Sequence, residues 1–507
     1  MLAKIDSYGL SGLVGYKIEV EVDINQGLPA YDVVGLPDAS VKESKERVHS
    51  AIKNSLMQFP KHKIIVNLAP ANTKKEGPAF DLAIAISILA ASEQIKSSQA
   101  SKYVYLGELG LDGSIKPVRG ILPILISAKE KGYTNFVVPA ANEKEASYIT
   151  GINVYAISTL SDVVKFINGT EKFEPIKNNV WSVDHVYGYE DFSRVKGQHA
   201  VKRAMEIAVS GGHNILMAGP PGTGKTMIAR CVPGILPDLT FDEALEITKI
   251  HSVAGVLDAE KGVVTSRPFR SPHHTATNVA LIGGGKDAKP GEVSLAHGGV
   301  LFLDEMPEYA RSVVEALRQP LEDGVVTVSR AAGTYQYPAN FMLVASMNPC
   351  PCGNYGSKDL TCTCSMNQIS KYLKKISGPL LDRIDIKVDV DRVKFIDLKE
   401  ETTEESSEQI KKRVDAARKI QQQRFAGTPV RSNAKMTSEQ IKKYCKLDEQ
   451  SEQILKAAFD KFKMSARGYT RILKVARTIA DLEGEENICS RHVLEAISYR
   501  NIDKVQI

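Results

Sequence analysis

Residues Gly219-Pro220-Pro221-Gly222-Thr223-Gly224-Lys225-Thr226 satisfy the phosphate-binding pattern G-x-x-x-x-G-K-[ST]. The apolar run NILMA (214–218) precedes them and TMIARCV (226–232) follows, so the pattern lies where a strand should pass into a helix. Glycines there let backbone N–H groups curl around phosphate oxygens at a helix N-terminus. Lys225 is expected to reach the β- and γ-phosphates of ATP, and Thr226 to ligate Mg2+. Three later segments supply complementary groups. The apolar VLFL (300–303) ends in Asp304, placed to hold Mg2+ through water, and Glu305, placed to orient and polarise the attacking water. FMLVASMN (341–348) reads as another buried strand and ends in Asn348, which on a neighbouring strand would stand beside the γ-phosphate. GPLLDRIDI (378–386) puts Arg383 between a helix and a strand. There it would neutralise transition-state charge on the ATP of an adjacent subunit; the alternative is an ion pair with Asp382 or Asp385.

Directly behind Asn348, the segment PCPCGNYGSKDLTCTC (349–364) holds four of the seven cysteines. Cys350, Cys352, Cys362 and Cys364 form two C-x-C pairs that could close a tetrahedral Zn2+ site around a loop rich in turn residues. A disulfide staple is the alternative, disfavoured in a reducing cytoplasm. Four protein ligands would leave no position for water, so the expected role is structural.

These groups need a scaffold of several elements. At 507 residues the chain is too long for one core, and its 43% hydrophobic and 25% charged residues are ordinary for a soluble multidomain protein. No run approaches the ~18–20 apolar residues of a membrane helix. MLAKIDSYGLSGLVG (1–15) lacks the core of a secretory signal, so a cytoplasmic protein is expected. The net charge of +5 permits an anionic partner without naming one. Residues 1–168 alternate strand patterns (18–24, 63–70, 103–109, 135–140, 152–158) with a helix over 40–55 begun by a capping serine, Ser40, with Val41, Val48 and Ile52 inward. LDGSI (111–115) carries a hairpin-turn signal. A polar linker covers 169–189, a second α/β block 190–392, and an acidic run, KEETTEESSEQ (399–409), opens a helical block over 393–507. That run reads as a solvated helix start. The fold class is α/β, multidomain.

Taken in order, the glycine-rich loop, the Asp-Glu strand end, Asn348 and Arg383 resemble the AAA+ ATPases. MSARGYTRILKVARTIADL (464–482) is similar to their sensor 2 helix, which implies Arg467 as a nucleotide-contacting arginine, with Arg471 as the alternative. PGEVSLAHGGVLFLDEMPE (290–308) and SGPLLDRIDI (377–386) resemble the clade of magnesium chelatase I subunits and replicative minichromosome maintenance helicases. That resemblance implies a helix-2 insertion, SRPFRSPHHTATNVALIGGGK (266–286), and a hairpin, VVTVSRAAGTYQYPANF (325–341). Arg267, Arg270, His273, His274 and Lys286 in the first, and Arg330, Tyr335 and Tyr337 in the second, become candidate DNA contacts against a background of surface charge and core packing. Residues 64–146 resemble the proteolytic domain of Lon, the ribosomal S5 domain 2-like fold. Ala79 stands where its serine nucleophile belongs and Leu122 where its lysine belongs, so no peptidase chemistry is expected.

The order of blocks, with VGLPDASVKESKERVHSAI (34–52) and RPFRSPHHT (267–275), resembles the ComM/YifB family over nearly the full chain. The resemblance implies a homo-hexameric, ATP-driven DNA helicase promoting branch migration during transformation. The alternative is a chelatase-like ATPase that remodels a protein partner or assists metal insertion. That alternative calls for a metal-dependent adhesion site, and its nearest candidate, Asp38-Ala-Ser40-Val-Lys42, departs from D-x-S-x-S at Lys42 and begins a helix.

Overall fold

A computed structural model describes residues 1–184, 190–285, 288–330, 333–356, 360–393 and 404–500, with Arg330 described by its backbone alone. Lys286, linker residues 185–189, the start of the acidic run (399–403) and the Arg330 side chain lie outside the described residues.

Alternating burial along the first strands explains the N-terminal sheet. β1 (Leu2–Ser11), β2 (Val14–Asn25), β3 (Ala30–Val34), β4 (Lys63–Ala69), β5 (Val104–Tyr105), β8 (Asn135–Pro139) and β9 (Asn153–Ile157) form one sheet in the order β3-β4-β2-β1-β5-β8-β9. Short strands β6 (Glu108–Leu109) and β7 (Ile115–Lys116) pair across the expected Asp-Gly turn. Because successive side chains point to opposite faces, the sheet serves two cores. Ile5, Ile18 and Val20 join the helices Ala39–Asn54 and Asp81–Ala91 on one face. Tyr8, Val104, Phe136 and Leu122 fill the other, beneath the helix Ile121–Glu130. The helix at 40–55 starts one residue earlier than expected. Asp38, not Ser40, is its cap, accepting from the Val41 N–H, and it also accepts from the Gly77 N–H. A carboxylate at that position satisfies an orphan helix donor, which also removes Asp38 as a free adhesion-site ligand.

The second sheet is all parallel. β10 (Ile215–Ala218), β11 (Phe269–Arg270), β14 (Val300–Leu303), β17 (Met342–Met347) and β18 (Ile386–Asp389) take the order β11-β14-β17-β10-β18. Between them, β12 (Gly283–Gly284) pairs with β13 (Lys289–Pro290), and β15 (Val325–Arg330) with β16 (Gly333–Pro338), the expected hairpin. The helices Ser407–Arg424, Ser438–Tyr444, Glu449–Phe462, Ala466–Leu482 and Ser490–Ser498 make the C-terminal block. Its first helix begins at a Ser406/Gln409 capping box. The acidic run before it is not simply solvated: Glu404 pairs with Lys202 at 2.6 Å, both nearly buried.

The blocks are joined through the helix Phe241–Ala254. Its Ser252 hydroxyl donates to Glu145 and accepts the Gly120 N–H at 3.0 Å, while Glu145 also accepts the Leu122 N–H at 3.0 Å. Trp181, at the end of the described linker, packs on Phe241 and donates to the Val264 carbonyl.

Candidate active site

The parallel sheet brings the separated motifs to one edge. β10 lies between β17 and β18, with Ala218 opposite both Met347 and Asp389. The glycine-rich loop leaves the end of β10 and Asn348 leaves the end of β17, so the two meet. Gly222 and Gly224 have φ of +76° and +87°, values that L side chains rarely adopt, and this turns the loop's backbone toward a ligand. The Lys225 ammonium donates to the carbonyls of Gly219 (2.7 Å) and Pro220 (2.8 Å) and to Oδ1 of Asn348 (3.1 Å). Burial pulls its pKa below the usual lysine value, opposed by Asp304 and Glu305. A polyanion in the loop would reverse that imbalance. Thr223 is buried, its hydroxyl bonded to the Pro220 carbonyl.

On the next strand, Asp304 and Glu305 follow β14. The Thr226 hydroxyl donates to Asp304 at 2.8 Å, and the Ser346 hydroxyl donates to the other oxygen of Asp304. Ser346 in turn accepts the Glu305 N–H at 3.0 Å. Glu305 sits in the left-handed region (φ 51°, ψ 48°), an uncommon conformation for a side-chain-bearing residue, and one that collects at functional sites. Hydroxyl and carboxylate oxygens side by side are the hard donors Mg2+ prefers, so the Thr226–Asp304 pair fits that ion. Ser346 was not singled out from the sequence; a lone hydroxyl inside an otherwise apolar strand was its signal.

Arg383 is elsewhere. It precedes β18, whereas the glycine-rich loop follows β10, and these strands are parallel and in register from Ile215↔Ile386 to Ala218↔Asp389. The two groups therefore flank opposite ends of the sheet, separated by about 13 Å of strand alone. Arg383 is 8% exposed, donates to the Pro379 carbonyl at 2.7 Å and is ion-paired with Glu322, not with Asp382 or Asp385. Arg467, at the start of the helix Ala466–Leu482, donates to the other Glu322 oxygen at 2.9 Å. Arg383 beside it holds the Glu322 carboxyl below the usual range. Arg471 is 3.2 Å from Asp385, which also pairs with the buried His213. Glu322 carried no sequence signal.

Behind Asn348 the four thiols converge. Cys350 Sγ is 3.3 Å from Cys352 Sγ and 3.7 Å from Cys362 Sγ, and Cys352 and Cys362 are 3.6 Å apart. All four sulfurs lie within 4.8 Å of one another. Zn–S bonds of about 2.3 Å in a tetrahedron put sulfurs about 3.8 Å apart, so the set fits a Zn2+ with little adjustment. Backbone N–H groups of Asn354 and Thr363 bring the Cys352 thiol down to about 5. Against a backbone N–H from Cys364, desolvation and the adjacent sulfurs lift Cys362 to about 12. One anion among thiols is what repulsion allows, and a bound dication would invert that logic.

Several candidate DNA contacts are committed to the fold. Tyr337 is 3% exposed and donates to the Ala288 carbonyl. Arg267 bonds the carbonyls of Pro237, Asp238 and Gly298 and the Glu243 carboxylate. Arg270 makes two bonds to Glu292, and Tyr335 packs over Gly12 in the β1–β2 turn. His273 stays exposed, its ring 4.1 Å from that of His274. Among the described residues no helix is long and apolar enough to cross a membrane.

Three family models match in succession: "Subunit ChlI of Mg-chelatase" at residues 20–142, "Magnesium chelatase, subunit ChlI" at 191–398, and "Magnesium chelatase, subunit ChlI C-terminal" at 404–500. Competence protein ComM of Haemophilus influenzae is 43% identical over 98% of this chain and 97% of its own. YifB of Escherichia coli is 43% identical over 97% and 95%. A shorter likeness, 24% identity over 29% of this chain, reaches Lon protease 2 of Bacillus subtilis. With the phosphate-loop constellation intact and the match running end to end, the chain belongs to the ComM/YifB family of magnesium-chelatase-like AAA+ proteins.

Proposed function

We propose that this protein is an ATP-hydrolysing ring motor that acts on DNA, a branch-migration helicase in the uptake or recombination of transforming DNA. The observation that carries the ring is the placement of Arg383. It lies at the opposite end of the sheet from Lys225, which supports a catalytic site completed by an adjacent copy of the chain. Lys225 and the loop N–H groups would hold the β- and γ-phosphates, with Asn348 orienting the ammonium. Thr226 and Asp304 would hold Mg2+, which supplies charge neutralisation on the phosphates when bound. Glu305 would accept a proton from the attacking water, its backbone fixed by Ser346. Arg383 of the adjacent copy would meet the developing charge, and Arg467, tied to the same Glu322, would be presented with it. Cys350, Cys352, Cys362 and Cys364 would hold a structural Zn2+.

DNA as the substrate is supported by the full-length likeness to a relative named a competence protein. A homo-hexamer is the ring that the ComM/YifB resemblance implies. The alternative, a chelatase-like remodeller, has no local support at Asp38, which is spent on a helix cap. The deciding measurement is the ATPase rate alone and with single-stranded, duplex and forked DNA. Stimulation by DNA is expected, strongest with branched or single-stranded forms; an ATPase indifferent to all three would remove DNA from the reading.

A further inference from the structure

We infer that the four-cysteine knuckle is a metal-dependent clamp on the phosphate loop, so that metal occupancy sets nucleotide affinity. This rests on the Zn2+ assignment above and goes beyond it, from a staple to control of the ATP site.

The geometry starts at Gly353, inside the knuckle. Its N–H donates to the Cys350 carbonyl at 2.9 Å, and its φ is +81°. A β-carbon built there would fall 2.4 Å from Cδ and 3.1 Å from Cγ of Pro221. Pro221 is the second proline of the glycine-rich loop, so the knuckle backbone rests directly on the loop that wraps phosphate. The other end of the knuckle is continuous with the second phosphate element. Cys350 lies two residues after Asn348, whose Oδ1 receives the Lys225 ammonium, and the Met347 carbonyl accepts the Gly219 N–H at 3.1 Å. One segment thus touches the phosphate loop at Gly219, Pro221 and Lys225.

Among the described residues, the four sulfurs gather the segment at one point. Cys350 is buried, whereas Cys352, Cys362 and Cys364 are only partly covered. The sulfurs also receive backbone donors, from Tyr355 N–H to Cys350 (3.3 Å) and from Cys352 N–H to Cys364 (3.4 Å). Such donors stabilise anionic ligands around a metal. A closed tetrahedral ion would cross-link the segment, and metal binding is then local folding free energy. Without the ion the cross-link that presses Gly353 against Pro221 is lost.

The test uses the full-length protein, elemental analysis, and titration with a fluorescent ADP analogue. Wild type purified without added metal should carry Zn2+ at one ion per chain. Cys364→Ser should lose it and bind the analogue about tenfold more weakly, a shift of ~1.4 kcal/mol. Gly353→Ala keeps all four thiols, so it should keep its Zn2+ and still lose affinity, which guards against a Cys364→Ser chain that is merely misfolded. Chelation of wild type should weaken binding, and added Zn2+ should restore it. Unchanged affinity in metal-free wild type and in Gly353→Ala would overturn the clamp while leaving the Zn2+ assignment standing. Wild type with no Zn2+, or with a Cys350–Cys352 disulfide by mass spectrometry, would overturn both.

Discussion

Arg383 and Arg467 hold the two oxygens of a single carboxylate, that of Glu322. One arginine comes from the strand side of the parallel sheet and the other from a helix of the C-terminal block, so Glu322 makes them one cationic unit. That unit is turned away from the chain's own phosphate loop.

Arg383 should therefore work between subunits. Arg383→Ala and Lys225→Ala proteins should each be inactive alone, since an arginine in this role is worth ~10³–10⁵ in rate. A mixture should recover ATPase activity, because some interfaces pair an intact loop with an intact arginine. Subunit exchange without any recovery would assign Arg383 a role within its own chain.

At the nucleotide itself, binding and turnover should separate. Lys225→Ala should abolish binding of the fluorescent analogue. Glu305→Gln should bind normally and not hydrolyse, since the amide cannot take a proton from water. Ordinary turnover by Glu305→Gln would exclude that residue from the mechanism.

Ser346 joins Asp304 to the Glu305 backbone through one hydroxyl. Ser346→Ala should lower kcat by ~10–100-fold and raise the Mg2+ concentration needed for half-maximal rate. Nucleotide affinity measured without Mg2+ should not change. A drop in that affinity instead would mean that the serine supports the phosphate loop.

Glu145, between the N-terminal sheet and Ser252, offers a pH signature. Burial raises its pKa above the ordinary 4.5, although bonds from Ser252, the Leu122 N–H and Asn142 oppose the rise. Through the window above pH 4.5 the folded chain then binds more protons at this site than the unfolded chain, so its contribution to stability falls as pH rises. Glu145→Gln should flatten that part of the curve of melting temperature against pH. Parallel curves for the two proteins would refute the assignment.

The parts of the site legible in the sequence are those whose chemistry fixes residue types at short spacing. The glycine-rich loop, Asp304-Glu305 and Asn348 each follow a short apolar strand, and the parallel sheet assembles them as neighbours. Glu322 was silent because its meaning lies in two partners distant in the chain. Tyr337 and Arg267 misled in the other direction: an aromatic ring or a guanidinium in an insertion suggests nucleic acid, but only packing reveals that both point inward. Ser40 competed with Asp38 for the helix start because both are good caps, and the choice fell to the residue that could also bond Gly77. β1 was not anticipated. Its polar residues break a clean period-two alternation, yet Ser7 and Tyr8 are buried on opposite faces and bonded or packed there.

The two faces of the N-terminal sheet also close a door. The helix that follows Ala79 fills one core, whereas Leu122 fills the other. The Leu122 N–H is bonded to Glu145, which in turn is bonded to Ser252 of the helix Phe241–Ala254. A lysine at position 122 would strand an amine in an apolar interior. Restoring that amine therefore costs the core packing that Leu122 now supplies between the N-terminal sheet and its covering helix.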